Sequence, residues 1–383
     1  MPFASVYMAA LMLTDMQIGL IASVSLLSQA ICALVGGAVT DKLGRRLATL
    51  ISDVLSFSIP CLLWAFSQNF WWFAVAAAFN GFMQISNTSW NCLLVEDAKT
   101  EQLVKIYSLI HMSGQLAVFF APLSGLLVNS LTVVPTMRII YLFSFLSMTA
   151  KFILLYKYCD ETKVGRVRKS ETSGISIFKI MSGYGQILKM ILASPGMVFA
   201  LALSAAFNIT GIVSGSFFGL FISGTLLIPQ HFLAYFPIIR SVIIALFLFG
   251  VQEKLNRFGV KRPMLFGTVL YTASHAVLIM SPKENLVMPL LYIVLEACAF
   301  CFVVPRRDSI VAQLIEPQER ARIFGLMTVI TLGSGIPFGY LAGWLSDMDR
   351  RLPFVLCIVI FVLIFTVIAS SRALRKKDNT VNN

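Results

Sequence analysis

The sequence has few charged residues and very little histidine, and these shortages exclude several classes of protein. Of its 383 residues, 13% are charged and three are histidines, whereas 58% are hydrophobic. A water-soluble domain usually carries about 25% charged residues, and it could not bury this much apolar surface. The composition therefore excludes a soluble enzyme, a nucleic-acid-binding protein and a secreted disulfide scaffold. It indicates that a lipid bilayer surrounds most of the chain.

Residue patterns for catalysis or metal binding are also lacking. Cys298 and Cys301 have C-x-x-C spacing, but they lie in an apolar run without a neighbouring histidine. Helix packing is therefore favoured over zinc or redox chemistry. The apolar runs contain no paired carboxylates and no nucleophile–base pattern. We expect no enzymatic activity, no cofactor and no metal ion.

Long apolar runs fill the chain. A helix needs about 20 mostly apolar residues to cross a bilayer. Residues 1–13 are apolar but too short, so we interpret them as the outer part of a first helix whose beginning is absent from this chain. Eleven runs are long enough, near 17–39, 47–66, 70–94, 105–130, 136–157, 194–222, 230–250, 263–281, 285–305, 323–345 and 352–371.

Basic residues are unevenly distributed between the connections. If the loop at 40–46 is cytoplasmic, the connections on that side and the C-terminal tail hold 24 of the 30 Lys and Arg residues, and the outer connections hold four. An excess of Lys and Arg is typical of cytoplasmic loops. We expect a multi-pass protein of the plasma membrane with both termini in the cytoplasm.

One long polar connection divides the chain. The connection, at 158–192, separates an N-terminal bundle at 1–157 from a C-terminal bundle at 193–371, and a basic tail follows at 372–383. The later part of the connection has apolar residues at helical spacing, which is typical of a helix on the inner membrane surface. An ordinary flexible linker is an equally supported alternative.

The two halves of the chain resemble each other. Three pairs of similar positions are separated by nearly the same number of residues: Asp41 and Glu253 by 212, Lys105 and Arg322 by 217, and Pro122 and Pro337 by 215. A constant offset of this kind indicates two six-helix halves related by duplication.

Residues 37–46 carry the motif by which the chain resembles the major facilitator superfamily. They read G-x-x-x-D-K-x-G-R-R, in the loop between the predicted helices 2 and 3. The resemblance covers the whole chain. It implies an all-α membrane fold of two six-helix bundles related by a pseudo-twofold axis, here with eleven full spans and a shortened first helix. It also implies that helices 1, 2, 4, 5, 7, 8, 10 and 11 line a central cavity. The motif residues are Gly37, Asp41, Lys42, Gly44, Arg45 and Arg46.

The motif also has a physical interpretation as a gate. Gly37 and Gly44 permit close backbone approach between moving helices, and Asp41 can lie against the positive end of a neighbouring helix. A charge cluster that forms or breaks between the halves would favour one access state over the other. Loop charge that only sets topology is the alternative. The candidate pairs join Arg45 or Arg46 with Glu96 or Asp97.

Two ionisable residues lie deep inside apolar runs. Arg240 is in the middle of the predicted helix 8, and Glu296 is in the middle of the predicted helix 10. An unpaired arginine at mid-bilayer costs at least about 2.5 kcal/mol, so each residue is a functional candidate. The resemblance implies that both face the central cavity. We expect Arg240 to pair with Glu296 or with an anionic substrate, and a purely structural ion pair is the alternative.

Four carboxamides in the predicted helix 4 are spaced so that they share one helical face. They would be unfavourable against lipid, and in a wet cavity they can bind a polar solute. Trp90 borders them and can stack on a ring, and Gln29 in helix 2 is a weaker member of the same lining. Hydrogen bonding between helices is the alternative. The four residues are Asn80, Gln84, Asn87 and Asn91.

Asp53 is a second candidate for proton coupling beside Glu296. It lies about two helical turns from the cytoplasmic end of helix 3, which the resemblance implies is peripheral, so a structural role is the alternative. His275 is isolated in helix 9, and we expect it to be a packing residue.

Together these patterns predict a secondary transporter that moves a small polar or charged solute by alternating access. The alternatives are a non-transporting receptor or scaffold with the same fold, and a multidrug efflux carrier. The basic residue that drug–proton antiporters carry in helix 4 is absent near Gly81. As partners we expect the solute, protons and the lipid bilayer, no nucleic acid, and a monomeric chain.

Overall fold

The part of the chain that the structure describes consists of helices joined by turns and short loops. The structure is a computed structural model, and it describes residues 2–97, 110, 113–114, 118, 120–172, 174–176, 184–250, 259–314 and 320–371. No β-strand occurs among these residues. The repeated loop at 250–262 and the loop at 98–109 therefore lie largely outside the described residues.

The N-terminal half contains helices α1 to α8. A short α1 precedes the long α2, and the next span contains a π-helical segment at Val54–Ser58 between α3 and α4. The bounds are α1 Ala4–Ala10, α2 Asp15–Leu43, α3 Arg45–Asp53, α4 Ile59–Ala65, α5 Phe70–Asn80, α6 Met83–Val95, α7 Ala121–Leu131 and α8 Val133–Tyr158.

The connection and the C-terminal half contain α9 to α16. A π-helical segment at Phe221–Thr225 extends α11, and a 3-10 helix at Gln230–Ala234 precedes α12. The bounds are α9 Lys163–Thr172, α10 Tyr184–Ala193, α11 Pro195–Leu220, α12 Phe236–Gly250, α13 Lys261–Ile279, α14 Val287–Leu314, α15 Arg320–Met348 and α16 Leu352–Ser370. We call the end of the molecule at Leu43–Arg45, where α9 packs, the linker end, and the end at Thr14–Asp15 the opposite end.

Most of the predicted spans correspond to helices. Among the described residues, eight continuous helical segments are long and apolar enough to cross a membrane. One of them, Arg45–Ala65, consists of α3, the π-helical segment and α4. The span predicted at 136–157 is Val133–Tyr158, and the one at 352–371 is Leu352–Ser370. The span predicted at 70–94 is instead two helices, α5 and α6, which meet at Gly81. The total of eleven spans stays a prediction.

Local sequence signals explain where α2, α3 and α11 begin or end. Thr14 starts α2 with a capping box, in which its side chain accepts from the N–H of Gln17. Gly44 has a φ of +86°, which glycine adopts without a steric penalty, so α2 ends there and α3 begins in a new direction. Ser194 caps α11, and Pro195 occupies its first turn.

Glycines let α2 and α15 pack in direct backbone contact. A Cβ atom at Gly19 would lie 2.3 Å from the carbonyl oxygen of Gly339 and 2.8 Å from the Cα of Gly343. Ser23 adds a hydrogen bond of 2.7 Å from its hydroxyl to the carbonyl of Ile336. Because α2 belongs to the N-terminal half and α15 to the C-terminal half, this contact joins the two halves.

A charged cluster holds the same interface together at the opposite end. Arg350 donates from Nε and Nη2 to the two carboxylate oxygens of Asp15, at 2.7 and 3.0 Å. Ser346 donates to Asp15 Oδ2 at 2.7 Å, and the N–H of Met16 donates to Asp347 at 3.1 Å. Asp15 is buried, so the contact is protected from water. We call Asp15, Ser346 and Arg350 the Asp15 latch.

Replacing Gly339 by alanine tests the packing of α2 against α15. The new methyl group would lie 2.5 Å from Ser23 Oγ and 2.9 Å from the Gly19 carbonyl oxygen. We expect this overpacking to destabilise the fold by about 1–3 kcal/mol, measured as a lower thermal unfolding temperature of the purified protein. Gly333→Ala on the same helix is the matched control, because no atom lies within 4 Å of its Cβ position. Equal unfolding temperatures of the two variants would contradict the close contact.

Candidate functional site

Arg240 and Glu296 form an ion pair inside the C-terminal half. Arg240 lies on α12 and Glu296 on α14. Arg240 Nε donates to Glu296 Oε2 at 2.7 Å, and Nη2 donates to Oε1 at 3.1 Å. Two parallel charge-assisted hydrogen bonds give this contact both strength and a fixed orientation. The Arg240 side chain is 35% exposed and that of Glu296 is 16% exposed, so the pair borders open space.

Two cavities meet at this ion pair. The linker-side cavity has a volume of about 210 Å³ and extends along α14 toward Arg307. The opposite-side cavity has a volume of about 440 Å³ and extends toward Phe236, at the beginning of α12. Arg240 and Glu296 line both cavities, together with Gly211 of α11. The ion pair is therefore part of the wall that the two cavities share.

Aromatic side chains form much of the wall of the linker-side cavity. The Arg240 guanidinium carbon lies 4.8 Å from the ring centroid of Phe300, and that of Arg307 lies 5.6 Å from the ring centroid of Phe207. All four residues line the cavity. One face of each guanidinium therefore lies against an aromatic ring, and this cation–π contact stabilises the positive charge of the arginine.

His275 of α13 also lines the linker-side cavity. Its Nδ1 lies 2.9 Å from the backbone carbonyl oxygen of Tyr271, which requires a proton on Nδ1. Its Nε2 lies 3.5 Å from the hydroxyl of Ser214. The histidine is thus a buried packing residue, as the sequence predicts, and it also borders the candidate site.

Sequence reasoning did not identify Arg307, Tyr271 and Phe207 as members of the site. Arg307 follows Arg306 near a predicted inner loop, so it has the same appearance as an arginine that sets topology. Aromatic residues occur throughout the apolar runs, and their positions alone do not distinguish a cavity wall from a lipid-facing surface. In the part of the chain that the structure covers, no group of three or more His, Cys, Asp and Glu side chains could hold a metal ion.

The carboxamides predicted to share one helical face take different partners. The break at Gly81 places Asn80 on α5, where its Nδ2 donates to the carbonyl of Ser56 at 3.1 Å. Gln84 lies on α6 and donates to the side chain of Gln29 at 3.1 Å. Gln29 in turn donates to the hydroxyl of Ser25 at 3.1 Å. The Gln84–Gln29 contact therefore joins α6 to α2.

The remaining members of the helix-4 group lie toward the linker end of α6. Asn87 and Asn91 are exposed, and Asn91 Nδ2 donates to the carbonyl of Asn87 at 2.7 Å. Trp90 is half-buried. None of these residues is in the wall of either cavity described above. A role in solute binding stays a prediction for them.

Asp53 lies in a polar region within the N-terminal half. It is buried at the end of α3, directly before the π-helical segment, and the hydroxyl of Ser86 donates to its Oδ1. Lys151 on α8 is the charged residue that acts on it electrostatically. The contact with Ser86 joins α3 to α6, as expected if Asp53 has a structural role. Proton coupling through Asp53 stays a prediction.

The predicted gating loop forms a charge cluster at the linker end. Arg45 is buried and its Nη1 donates to Asp41 at 2.6 Å, while its Nε and Nη2 donate to Glu96 Oε1 at 3.1 and 3.0 Å. Thr162, from the connection between the halves, donates its hydroxyl to Glu96 at 2.5 Å. The cluster therefore connects α2, α3, α6 and the connection. Two acids neutralise one guanidinium, which accounts for its burial.

Two details of the expected geometry at this loop are wrong. Asp41 pairs with Arg45, and it is Glu161 of the connection that lies at the positive end of α3, where it accepts from the N–H groups of Arg45 and Arg46 at 2.9 and 3.1 Å. A Cβ at Gly37 would have no neighbour within 4 Å, so no close backbone approach occurs there. The expectation for Asp41 is wrong because Glu161, an acid that is distant in sequence from the motif, caps α3 instead.

The other predicted gating residues contact the connection or the end of α8. Arg46 Nε donates to the carbonyl of Tyr156 at 2.8 Å, and its guanidinium lies over the Tyr156 ring. Lys42 Nζ donates to the carbonyl of Ile175 at 3.4 Å, and Asp97 accepts from the N–H of Lys163 at 3.4 Å. Partial burial raises the pKa of the nearby Cys159 thiol, because desolvation outweighs the opposing charge of Arg46.

Comparisons with known proteins give the chain a family and a fold. The family model of the Major Facilitator Superfamily matches residues 1–251. The nucleoside transporter NupG has a similar structure, with a TM-score of 0.69, 17% identity, and coverage of 97% of this chain and 94% of that chain. A bacterial homologue of the iron transporter ferroportin in an inward-facing state has a TM-score of 0.71, 14% identity, and coverage of 96% and 92%. The xylose transporter XylE from E. coli in an inward open conformation has a TM-score of 0.65, 13% identity, and coverage of 99% and 93%. No curated protein sequence matches the chain.

A double-mutant cycle tests the ion pair between Arg240 and Glu296. Removing one partner leaves the other charge without compensation at a partly exposed site, so we expect Arg240→Gln and Glu296→Gln each to destabilise the protein by about 1–3 kcal/mol. The double variant should be more stable than either single variant, because neither charge remains. Thermal unfolding of the four purified proteins measures the coupling. Additive effects of the two substitutions would show that the residues do not interact.

Proposed function

The chain belongs to the Major Facilitator Superfamily, a family of membrane transporters, and on this premise we propose that it moves a small polar or charged solute by alternating access. The observation that carries this proposal is the partly exposed Arg240–Glu296 pair in the shared wall of two cavities. Charged residues inside a membrane domain are costly and commonly belong to a substrate or ion pathway. The solute would bind at this pair.

The contacts between the halves support a state that is closed at the opposite end. There α2 and α15 touch through Gly19 and Gly339, and the Asp15 latch adds charged hydrogen bonds. Similarity in fold to two transporters whose structures are inward-facing agrees with this assignment. Transport requires a second state in which these contacts separate and the opposite-side cavity opens.

The distribution of basic residues supports an orientation for the proposed cycle. The linker end carries most of the Lys and Arg residues of the connections, so it would face the cytoplasm, and the Asp15 latch would face the exterior. In this arrangement the protein lies in the plasma membrane as a monomer with its C-terminal tail in the cytoplasm. The linker-side cavity would then be the cytoplasmic route to the ion pair.

The Arg45 cluster would regulate the cytoplasmic side of the cycle. Arg45, Asp41 and Glu96 form hydrogen bonds within the N-terminal half, and Glu161 and Thr162 connect them to the segment that leads to the C-terminal half. A movement of one half relative to the other would pull on this segment. The strength of the cluster would therefore affect how easily the two states interconvert.

Proton coupling is proposed to act through Glu296. Its carboxylate binds Arg240 with both oxygens, and a protonated carboxyl group would bind a guanidinium more weakly. Protonation would thus free Arg240 for another partner. The charged and titratable groups nearest this pair or its cavities are Arg307, Tyr271, His275 and Tyr292, together with the thiols of Cys298, Cys301 and Cys357.

Breaking the Asp15 latch is expected to favour the state that is open at the opposite end. Asp15→Asn removes the charge that Arg350 and Ser346 bind. Asp347→Asn, which affects only a backbone contact with Met16, is the matched control.

Spin labels attached at positions 66 and 280 report the distance between the two halves at this end. Phe66 and Met280 are exposed positions, one in each half. The background replaces the accessible native cysteines by serine. We expect a larger population of long distances in Asp15→Asn, and an unchanged distribution would contradict a latch role.

Transport assays in liposomes test the proposed coupling residue. A panel of labelled carboxylates, amino acids, sugars and nucleosides identifies a solute that the wild type accumulates under a proton gradient. Glu296→Gln is expected to exchange this solute but to lose accumulation driven by the gradient, because its side chain cannot be protonated. Glu171→Gln, an exposed residue of α9 that pairs with Arg168, is the control. Equal accumulation by both variants would discard Glu296 as the coupling residue, and solute binding without flux would favour a receptor or scaffold.

A further inference from the structure

We propose that the solute is a small organic anion whose carboxylate binds between Arg307 and Arg240 in the linker-side cavity. This inference rests on the proposed function and specifies the substrate class of the same site. It is carried by the charges in the wall of that cavity, by the hydrogen-bond donors that the two guanidinium groups leave unused and by the aromatic surfaces around them.

The charged residues in the cavity wall favour an anion. The wall carries two guanidiniums, those of Arg240 and Arg307, and one carboxylate, that of Glu296. Asp308 binds Arg307, but it is not part of the wall and its side chain is 61% exposed. Water therefore screens the charge of Asp308 more strongly than it screens charges inside the cavity. The local excess of positive charge attracts a negatively charged ligand.

The carboxylate of Glu296 is poorly available to a cationic solute. Both of its oxygens already accept hydrogen bonds from Arg240. A cation would have to compete with a guanidinium that is attached to the protein, and it would meet repulsion from Arg307 in the same cavity. A cation in this cavity would thus be opposed by the charges that stabilise an anion.

Both guanidiniums have donors left for a ligand. Arg240 uses Nε and Nη2 for Glu296, and its Nη1 forms no hydrogen bond with any other residue that the structure describes. Arg307 uses Nε and Nη2 for a single oxygen of Asp308, and its Nη1 is likewise free of hydrogen bonds to the described residues. A carboxylate has two oxygens with several lone pairs. It can therefore accept from one arginine at each oxygen.

Aromatic rings provide a surface for the carbon skeleton of the anion. Phe300 and Phe207 lie beside the two guanidiniums, and Tyr271 and Phe361 stack with a centroid distance of 4.6 Å and an interplanar angle of 6°. All four line the cavity. Burial of apolar atoms against them adds affinity that an inorganic anion cannot gain. The volume of about 210 Å³ restricts the ligand to a small molecule.

Matched ligands that differ in charge test this proposal. The probes are acetate, lactate, succinate, benzoate and phenylacetate, each compared with its primary amide, and benzylamine as a cation of similar size to benzoate. Thermal unfolding of the purified wild type at increasing ligand concentration gives apparent affinities, because a ligand that binds the folded state raises the unfolding temperature. We expect stabilisation by at least one carboxylate and none by its amide. Stabilisation by no carboxylate, or equal stabilisation by the amide or the amine, would overturn the proposal.

Arg307→Gln identifies the site in the same assay. Arg307 pairs with an exposed acid, so we expect this variant to unfold near the wild-type temperature without ligand and to bind the carboxylate about ten- to hundredfold more weakly, as for loss of a charged hydrogen bond. Arg307→Lys should recover part of this loss. Arg168→Gln removes an arginine from a similar exposed pair with Glu171 outside the cavity and should bind normally. Unchanged affinity in Arg307→Gln would overturn the assignment of the site.

A flux measurement separates this proposal from the proposed function. The carboxylate that stabilises the wild type is used in labelled form for counterflow exchange in liposomes. Exchange that is lost in Arg307→Gln supports both proposals. Transport of an amide or an amine with Arg307 unnecessary would contradict the anion while leaving transport intact. Binding of the carboxylate through Arg307 without exchange would support the anion and contradict the transporter.

Discussion

The cost of removing a charged side chain from water constrains the whole arrangement of this protein. A bilayer offers no water at the depth of Arg240, so the guanidinium needs partners within the protein. Glu296 supplies two hydrogen bonds, and the shared cavity wall supplies partial exposure. The ion pair and the two cavities therefore occur together, and the candidate site lies inside the C-terminal half.

The same constraint recurs at both ends of the molecule. The Asp15 latch at the opposite end and the Arg45 cluster at the linker end are also arginine–carboxylate contacts between different helices. They differ in what they connect. The latch joins the two halves directly, whereas the cluster joins helices of the N-terminal half to the connection that follows them. In the proposed cycle, in which one end opens while the other closes, these contacts between helices would separate at the opening end and form at the closing end.

The space around the glycines differs between the opposite end of the molecule and the depth of the ion pair. Near the opposite end, glycines bring α2 and α15 into backbone contact, and a side chain at Gly19 would have no space. At the depth of the ion pair, Gly211 faces a cavity and a Cβ there would have no neighbour within 4 Å. Glycine thus allows close contact in one place and leaves room for a ligand in the other, depending on what the neighbouring helix presents.

Hydropathy and residue spacing determined much of this description. The apolar runs predicted most of the helices, the motif at 37–46 indicated the family, and the isolated charges at 240 and 296 indicated a pair, because each of these signals depends on local composition and on the cost of charge in lipid. The tertiary structure alone decided which distant groups meet. Glu161 caps α3, the break at Gly81 separates Asn80 from Gln84, and Arg307 enters a cavity wall although it resembles a loop arginine. Such contacts depend on the relative rotation and depth of helices far apart in sequence, which packing sets and local spacing does not record.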